Sequence, residues 1–404
     1  VTFHWPNIYE IVGRASIQGQ LVDPVALTGL FLTPGLLLLL VWLFAQGEKD
    51  TGCLSKKEEG IRVLRLFLFF GLLTCYFLPY MNQSAGCLYG VLAVLYLVMN
   101  ESSEGPMMAD LDPQVLEIHE EIQQLKEEGG TMQGYRNIAL FGLDAESENQ
   151  LYKSSHSDSI MIASVNLDTG DIRLVSVYRD TYLNIGTDEY RKCNAAYSFG
   201  GAEQAVKMLN MNLDMDITDF VAVGYKALRD VIDGLGGIYI DVDSVELQHI
   251  NNYQIGVSTV LKCDYKPVKE AGYQLLDGLQ ATAYCRIRYG GGDDFKRTSR
   301  QREVLKAMEE RAKETDLVTL TKVFNDCIGN IYTSLDSKDI LDLLADIGKY
   351  SIVEENGFPQ EEFRTVGNIG AKGSCVIPTD LESNVAWLHQ FLFGDEDYTV
   401  TESV

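Results

Sequence analysis

The sequence predicts an α/β domain with a mixed central sheet, preceded by an apolar N-terminal quarter. Three observations carry this. From Tyr135 onward, short apolar runs bounded by turn residues alternate with amphipathic helical stretches. The turn Asp168-Thr169-Gly170-Asp171 joins two strand-like runs tightly enough to make them antiparallel. Long uncharged segments are confined to residues before 100.

Residues 1–100 read as a membrane region with two or three apolar segments. Between Pro24 and Ala45, the run from Leu36 to Phe44 carries no charge. Its surroundings are long enough to cross a hydrocarbon layer about 30 Å thick, so a transmembrane helix is expected. A second segment spans Ile61 to Met81 and a third Ala85 to Met99, the last shorter than the roughly 17 residues of a perpendicular span. Lys49, Lys56, Lys57, Arg62 and Arg65 place the loop between the first two in the cytoplasm, because membrane proteins concentrate cations there. The chain begins at Val1 rather than Met, and no basic leader with a cleavage site precedes the apolar stretch, so a fragment lacking its true start is expected and counting helices leaves the topology open.

Residues 101–131 read as a linker or stalk, with a weakly amphipathic helix from Leu111 to Glu128 ended by Gly129-Gly130. The folded domain is expected over 132–394. Its first strands are Asn137 to Leu143, Ser159 to Leu167 and Ile172 to Tyr178. Helices follow at 201–213 and 225–235, then a strand at 238–242, then helices near 297–313, 316–333 and 337–350. The last residues, 395–404, read as a frayed acidic tail.

A formal charge of −25 excludes a generally basic, nucleic-acid-binding surface, so any anion site must be local. Eight cysteines without CxxC spacing argue against a zinc site.

If the first three strands are neighbours, their ends bring Asp144, Asp158, Arg179 and Asp180 to one edge. Two carboxylates at strand ends could hold Mg²⁺, which takes one or two carboxylates plus water and phosphate oxygens; they could equally cap turns. Arg179 could reach a phosphate beside them, with a surface ion pair to Asp180 as the alternative. In Arg286-Ile287-Arg288 an extended backbone would direct both guanidiniums one way, favourable if an anion lies between them or if both are solvated. After Gly290-Gly291-Gly292, Arg297, Arg300 and Gln301 fall at i, i+3 and i+4 of a helix start, where free N–H groups add to an anion site. A solvated basic helix start is the alternative; the concentration of arginines in so acidic a chain favours a pyrophosphate clamp.

The residues carrying these readings, in order, are Ser157-Asp158-Ser159, Tyr178-Arg179-Asp180-Thr181-Tyr182, Asn194-Ala195-Ala196-Tyr197 with Gly200-Gly201, Leu275-Leu276-Asp277-Gly278, Arg286-Ile287-Arg288, Asp294-Phe295-Lys296-Arg297 and Arg300-Gln301. Over residues 135–310 this succession resembles the catalytic domain of the LytR-CpsA-Psr family. The resemblance implies a three-layer α/β/α domain on the extracellular side of the cell membrane. Its expected activity is moving an anionic glycopolymer, such as teichoic acid or capsule polysaccharide, from a polyprenyl-pyrophosphate carrier to a peptidoglycan sugar hydroxyl.

The resemblance also assigns roles. Asp144 and Asp158 match Mg²⁺ carboxylates, with Mn²⁺ as the alternative ion. Arg179, Arg286, Arg288 and Arg297, with Arg300 beside them, match pyrophosphate ligands. Arg179, Asp180, Arg297 and Gln301 form the catalytic set, Asp180 orienting Arg179 and standing as candidate base. Val206, Leu209, Phe220 and Leu228 are candidates for a lipid groove, although such residues are more often core. His156 departs from the family's usual arginine, and several apolar segments depart from its usual single span. A polyprenyl-pyrophosphate hydrolase and a non-catalytic polyprenyl-phosphate-binding regulator are the competing functions.

Overall fold

The computed structural model describes residues 16–17, 20–21, 107–109, 111, 115–116, 118–127, 130, 132–144, 151–152, 155–289 and 294–404. The chain divides into two compact units, Val1–Glu101 and Ser102–Val404. In the first, the described residues form an antiparallel pair, β1 (Ser16–Ile17) and β2 (Gln20–Leu21). The three expected membrane segments lie outside the described residues. Among the described residues, no helix is long and apolar enough to cross a membrane.

The second unit opens with β3 (Met107–Met108), α1 (Glu120–Glu127), β4 (Tyr135–Leu143), β5 (Ser157–Asn166) and β6 (Asp171–Val177). A short ribbon, β7 (Tyr182–Asn184) and β8 (Tyr190–Lys192), leads to α2 (Ala195–Leu213), β9 (Asp219–Val223) and α3 (Tyr225–Gly234). Then come β10 (Ile238–Val242), α4 (Ser244–Leu261), β11 (Gly272–Leu276), α5 (Gly278–Tyr284) and α6 (Asp294–Lys313). The chain closes with α7 (Leu317–Cys327), β12 (Ile331–Thr333), α8 (Ser337–Ala345), β13 (Ser351–Phe358), the hairpin β14 (Arg364–Asn368) and β15 (Ser374–Pro378), and α9 (Leu381–Phe393).

Seven strands form one mixed sheet in the order β13-β6-β5-β4-β9-β12-β3. As the turn at 168–171 requires, β5 and β6 are antiparallel, and β4 pairs antiparallel with β5. Strand pleating sends Ala139, Phe141 and Leu143 to one face, where they join α2 and α9 in the main core. Leu140 points to the other face, where Met161, Ala163 and Leu174 meet Leu305 of α6. Helices thus cover both faces, giving three layers.

On that second side, α3, α4, α5 and α6 share a core of their own. Capping boxes start two of these helices: Asp243 with Glu246 at α4, and Asp277 with Gln280 at α5, each satisfying otherwise orphaned N–H groups. The helix α2 kinks at Gly200-Gly201; Gly201 has φ +70, and a Cβ there would lie 2.5 Å from the Tyr152 carbonyl oxygen.

Several expectations require correction. The helix expected over 316–333 ends at Cys327, because Ile331-Tyr332-Thr333 pairs with Val221–Val223 as β12. Ladder pairing by β-branched and aromatic residues overrides the helical pattern there. The helix expected over 337–350 stops at Ala345, and β13 then adds to β6 in parallel. The stretch 101–131 is no free stalk: Leu116 and Ile122 are buried in the main core and β3 extends the sheet. The C-terminal tail is tied down rather than frayed. Tyr398 Oη donates to Asp214 Oδ2 at 3.1 Å, and Thr401 donates to both Asp214 oxygens at 2.8 and 2.7 Å.

Candidate anion-binding site

Between the second sheet face and α3, α5 and α6 lies a cavity of about 400 Å³. Its walls are largely apolar, with Leu140, Met161, Val221, Leu228, Val231 and Met308 among them. Asp158, Arg286, Arg288, Arg297 and Gln301 also line it, so one end is charged. Apolar walls with a charged end suit an amphiphile that carries an anionic group.

The charged end is built from element termini. Arg179, just past β6, donates through Nη1 to Asp158 Oδ1 at 2.6 Å, near the start of β5. Arg297, in the first turn of α6, donates to the Asp158 carbonyl at 3.3 Å. Asp294, at the first position of α6, is shared by three arginines: Arg297 at 3.0 Å, Arg288 at 3.4 Å and Arg179 at 3.6 Å. Arg179, Arg288 and Arg297 face the two carboxylates of Asp294 and Asp158, which leaves an excess of positive charge there. Burial works against the charge on Arg179, but Asp158 and Asp294 outweigh it and hold its pKa above the ordinary value. For Arg297 burial prevails over Asp294, with repulsion from Arg179 adding to it, and its pKa is lowered. A further anion would relieve this buried cation.

Arg286 and Arg288 reach the site without the expected strand. They follow α5 in a turn, where the backbone N–H of Arg286 donates to the Ala283 carbonyl at 3.1 Å. Arg286 lies over the Tyr225 ring, 4.4 Å from its centroid. The Tyr253 hydroxyl lies 3.1 Å from the Arg288 backbone N–H and 3.0 Å from its carbonyl oxygen, fixing the turn. Two cations therefore share the cavity by turn geometry, not by strand pleating.

Arg300 stands elsewhere. It is buried, donates to Glu246 at 2.7 Å and to the Ile287 carbonyl at 3.1 Å, and its planar group lies 5.2 Å from the Tyr289 centroid. Positions i+3 and i+4 diverge to either side of i on a helix; Gln301 falls toward the cavity and Arg300 toward α4. Arg300 thus braces the turn carrying Arg286 and Arg288. The orienting role expected for Asp180 falls to other carboxylates. Its carboxylate pairs with Lys192 at 3.0 Å, while Arg179 is oriented by Asp158 and Asp294. His156 is exposed just ahead of β5. Of the four groove candidates, Val206, Leu209 and Phe220 are wholly buried core, and Leu228 lines the cavity.

Asp144 is exposed after β4 and accepts from the Tyr225 hydroxyl at 2.7 Å. Burial pushes the Tyr225 phenol up despite the adjacent Arg286, keeping it a neutral donor. Asp144 and Asp158 each use one oxygen in these contacts; the second takes no hydrogen bond from the described residues. No cluster of three His, Cys, Asp or Glu suited to a metal occurs among the described residues. Two carboxylates suit an ion that draws its remaining ligands from water and phosphate, as Mg²⁺ does. Asp294 and Tyr225 join the site beyond the residues expected from the sequence. For Asp294 a signal existed in its i, i+3 relation to Arg297; for Tyr225 none did, because its role depends on a cross-element contact.

The fold places an apolar cavity with arginines at one end, a combination that suits an amphiphilic anion. The LytR_cpsA_psr family model matches residues 107–374, and the chain belongs to that family. It is 29% identical over 221 residues to the polyisoprenyl-teichoic acid–peptidoglycan teichoic acid transferase TagT of Bacillus subtilis, covering 54% of this chain and 66% of TagT. It is 24% identical over 264 residues to TagU of Enterococcus faecalis, which carries the same transferase name, covering 64% and 81%. It is 26% identical over 292 residues to biofilm regulatory protein A of Streptococcus mutans, covering 64% and 69%. Among solved structures, TagT bound to LI-WTA has a TM-score of 0.51 at 24% identity, covering 65% of this chain and 92% of that one. B. subtilis TagV has a TM-score of 0.52 at 23% identity, covering 66% and 99%. These two share the fold.

Proposed function

We propose that the protein transfers an anionic glycopolymer from a polyprenyl-pyrophosphate carrier to a sugar hydroxyl of peptidoglycan. The observation that carries this is the convergence of Arg179, Arg288 and Arg297 at the charged end of an apolar cavity. The polyprenyl chain would lie along Leu228 and Met308, and the pyrophosphate would meet the arginines. The names of the TagT and TagU relatives support the same substrate class.

In the proposed reaction, the acceptor hydroxyl oxygen bonds to the phosphorus attached to the glycopolymer. The P–O bond to the carrier's phosphate breaks, polyprenyl phosphate leaves with the electron pair, and the hydroxyl proton passes to a carboxylate, for which Asp180 is the candidate. The arginines neutralise charge that builds on the phosphoryl oxygens, so positioning and electrostatics supply most of the acceleration. Asp144 and Asp158 would hold Mg²⁺, which adds charge neutralisation when bound. The apolar segments before residue 100 would anchor the chain, with this domain on the outer side.

The test is a transfer assay with a lipid-linked glycopolymer donor, run with and without peptidoglycan. Acceptor-dependent product that disappears in Arg179→Ala is the expected result. Release of polymer to water at the same rate without acceptor would identify a hydrolase. Donor binding without turnover in the unaltered protein would identify a regulator.

A further inference from the structure

The ribbon of β7 and β8 leaves the arginine cluster directly, Tyr182 following Arg179 by three residues. Leu183 points inward and is buried. The cross-strand pairs Tyr182 with Lys192 and Asn184 with Tyr190 therefore share the outer face. The Tyr182 and Tyr190 rings stand 5.9 Å apart, tilted by 36°, and Tyr190 is 53% exposed. Lys192 reaches back to Asp180, the residue next to Arg179, which ties the ribbon to the strand end that carries Arg179.

The charges here differ in kind from those in the cavity. Each cation of the ribbon has its own acidic partner: Arg191 pairs with Glu189 at 2.7 Å and Lys192 with Asp180 at 3.0 Å. Lys372, from between β14 and β15, adds a second contact to Glu189 at 3.5 Å. A polyanion would find little unbalanced positive charge to attract it. Flat rings flanked by paired polar groups instead match a ligand with apolar ring faces and many hydroxyls, and tyrosine offers both surfaces at once.

We infer that the outer face of this ribbon is a subsite for an uncharged glycan, presenting the acceptor sugar to the phosphoryl group. The inference rests on the proposed reading that a sugar hydroxyl is the acceptor. It assigns Tyr182 and Tyr190 to stacking, Asn184 to hydroxyl contacts, and the Asp180–Lys192 pair to the junction between acceptor and donor sites.

The test uses the full-length chain in detergent micelles, titrated with chitohexaose and followed by saturation-transfer NMR. Binding is expected in the unaltered protein, about tenfold weaker in Tyr190→Ala and kept in Tyr190→Trp. It should persist in Arg179→Ala, where transfer is lost. Thermal unfolding of each variant checks that the fold is intact. No binding, equal binding in Tyr190→Ala, loss in Arg179→Ala, or displacement by dextran sulfate overturns the subsite. If chitohexaose binding depends on Tyr190 but no lipid-linked donor is ever turned over, the glycan site stands and the transferase reading falls. If transfer occurs while binding ignores Tyr190, only the subsite falls.

Discussion

The two faces of the central sheet share their strands yet serve opposite ends. Toward α2 and α9, Phe141, Ile162 and Val175 are almost completely buried in a continuous core, and the Phe141 ring meets Tyr197 edge-on at 5.3 Å. Toward α3 and α6, Leu140 and Gly142 front a cavity of about 400 Å³. One face buries its side chains in a continuous core, and the other is left open at some cost in contact energy. The contrast teaches that stability and ligand capacity are assigned to opposite sides of the same residues' backbone, and substitutions should separate them.

The largest expected effect is on the filled face. Phe141→Ala removes a buried ring that has no room to be replaced, and should lower unfolding free energy by about 3–5 kcal/mol in denaturant titration. A loss below about 1 kcal/mol would mean that the core relaxes easily and that the two faces do not differ.

Next is the charged end of the open face. Arg297→Ala should reduce transfer by about a hundred- to a thousandfold, because a buried donor to the developing charge is lost. Asp294→Asn sharpens this. It removes the carboxylate shared by three arginines and leaves their charge uncompensated, so the anionic donor should bind more tightly and its KM fall by about tenfold while kcat changes less. Equal falls in kcat and kcat/KM would instead place Asp294 in contact with the transition state.

A smaller effect is expected deeper in the cavity. Leu228 lines the cavity and also packs against the α3–α6 core, so Leu228→Trp should weaken donor binding roughly tenfold with a loss of stability of about 1 kcal/mol. Lipid-linked donor titration and thermal unfolding, measured together, decide whether this wall belongs to the ligand or to the fold.

Legibility in the sequence followed the range of the interactions. The antiparallel trio β4, β5 and β6 could be read because a tight turn and alternating residues specify it locally. Asp158 and Arg179 could be placed at one edge for the same reason. By contrast, β12 and β13 were not legible as strands, since their pairing partners lie more than a hundred residues away. Arg300 was misplaced because helical spacing cannot tell which of two neighbouring surfaces a long side chain will choose; Glu246, on another helix, decides it. The pairing of Asp180 with Lys192 in place of Arg179 is not legible, because Lys192 becomes a neighbour only once the ribbon folds back.

The smallest predicted effect returns to the filled face and concerns acid. His389 of α9 is wholly buried, lies 3.0 Å from the Leu213 carbonyl through Nε2, and stacks on Tyr398 with 3.6 Å between ring centroids. Burial lowers its pKa, although the Leu213 carbonyl and Asp214 favour the cation. The unfolded chain, with an ordinary histidine pKa of about 6.5, therefore binds this proton more readily than the native state. The associated stability is fully present above that value and is lost as pH falls toward the lowered native pKa. Asp214 acts in the same direction further into acid. Burial raises its pKa, but hydrogen bonds from His119, Thr401 and Tyr398 prevail and depress it below the ordinary carboxylate value of about 3.9. Taking the protein from about pH 7.5 to about pH 5 should thus lower its stability, with most of that pH dependence removed in His389→Phe. That variant also leaves the Leu213 carbonyl without its partner, so its absolute Tm should be lower at every pH. The decisive quantity is the slope of Tm against pH: parallel curves for the two proteins would move the acid sensitivity off the filled face and onto the carboxylates around the cavity.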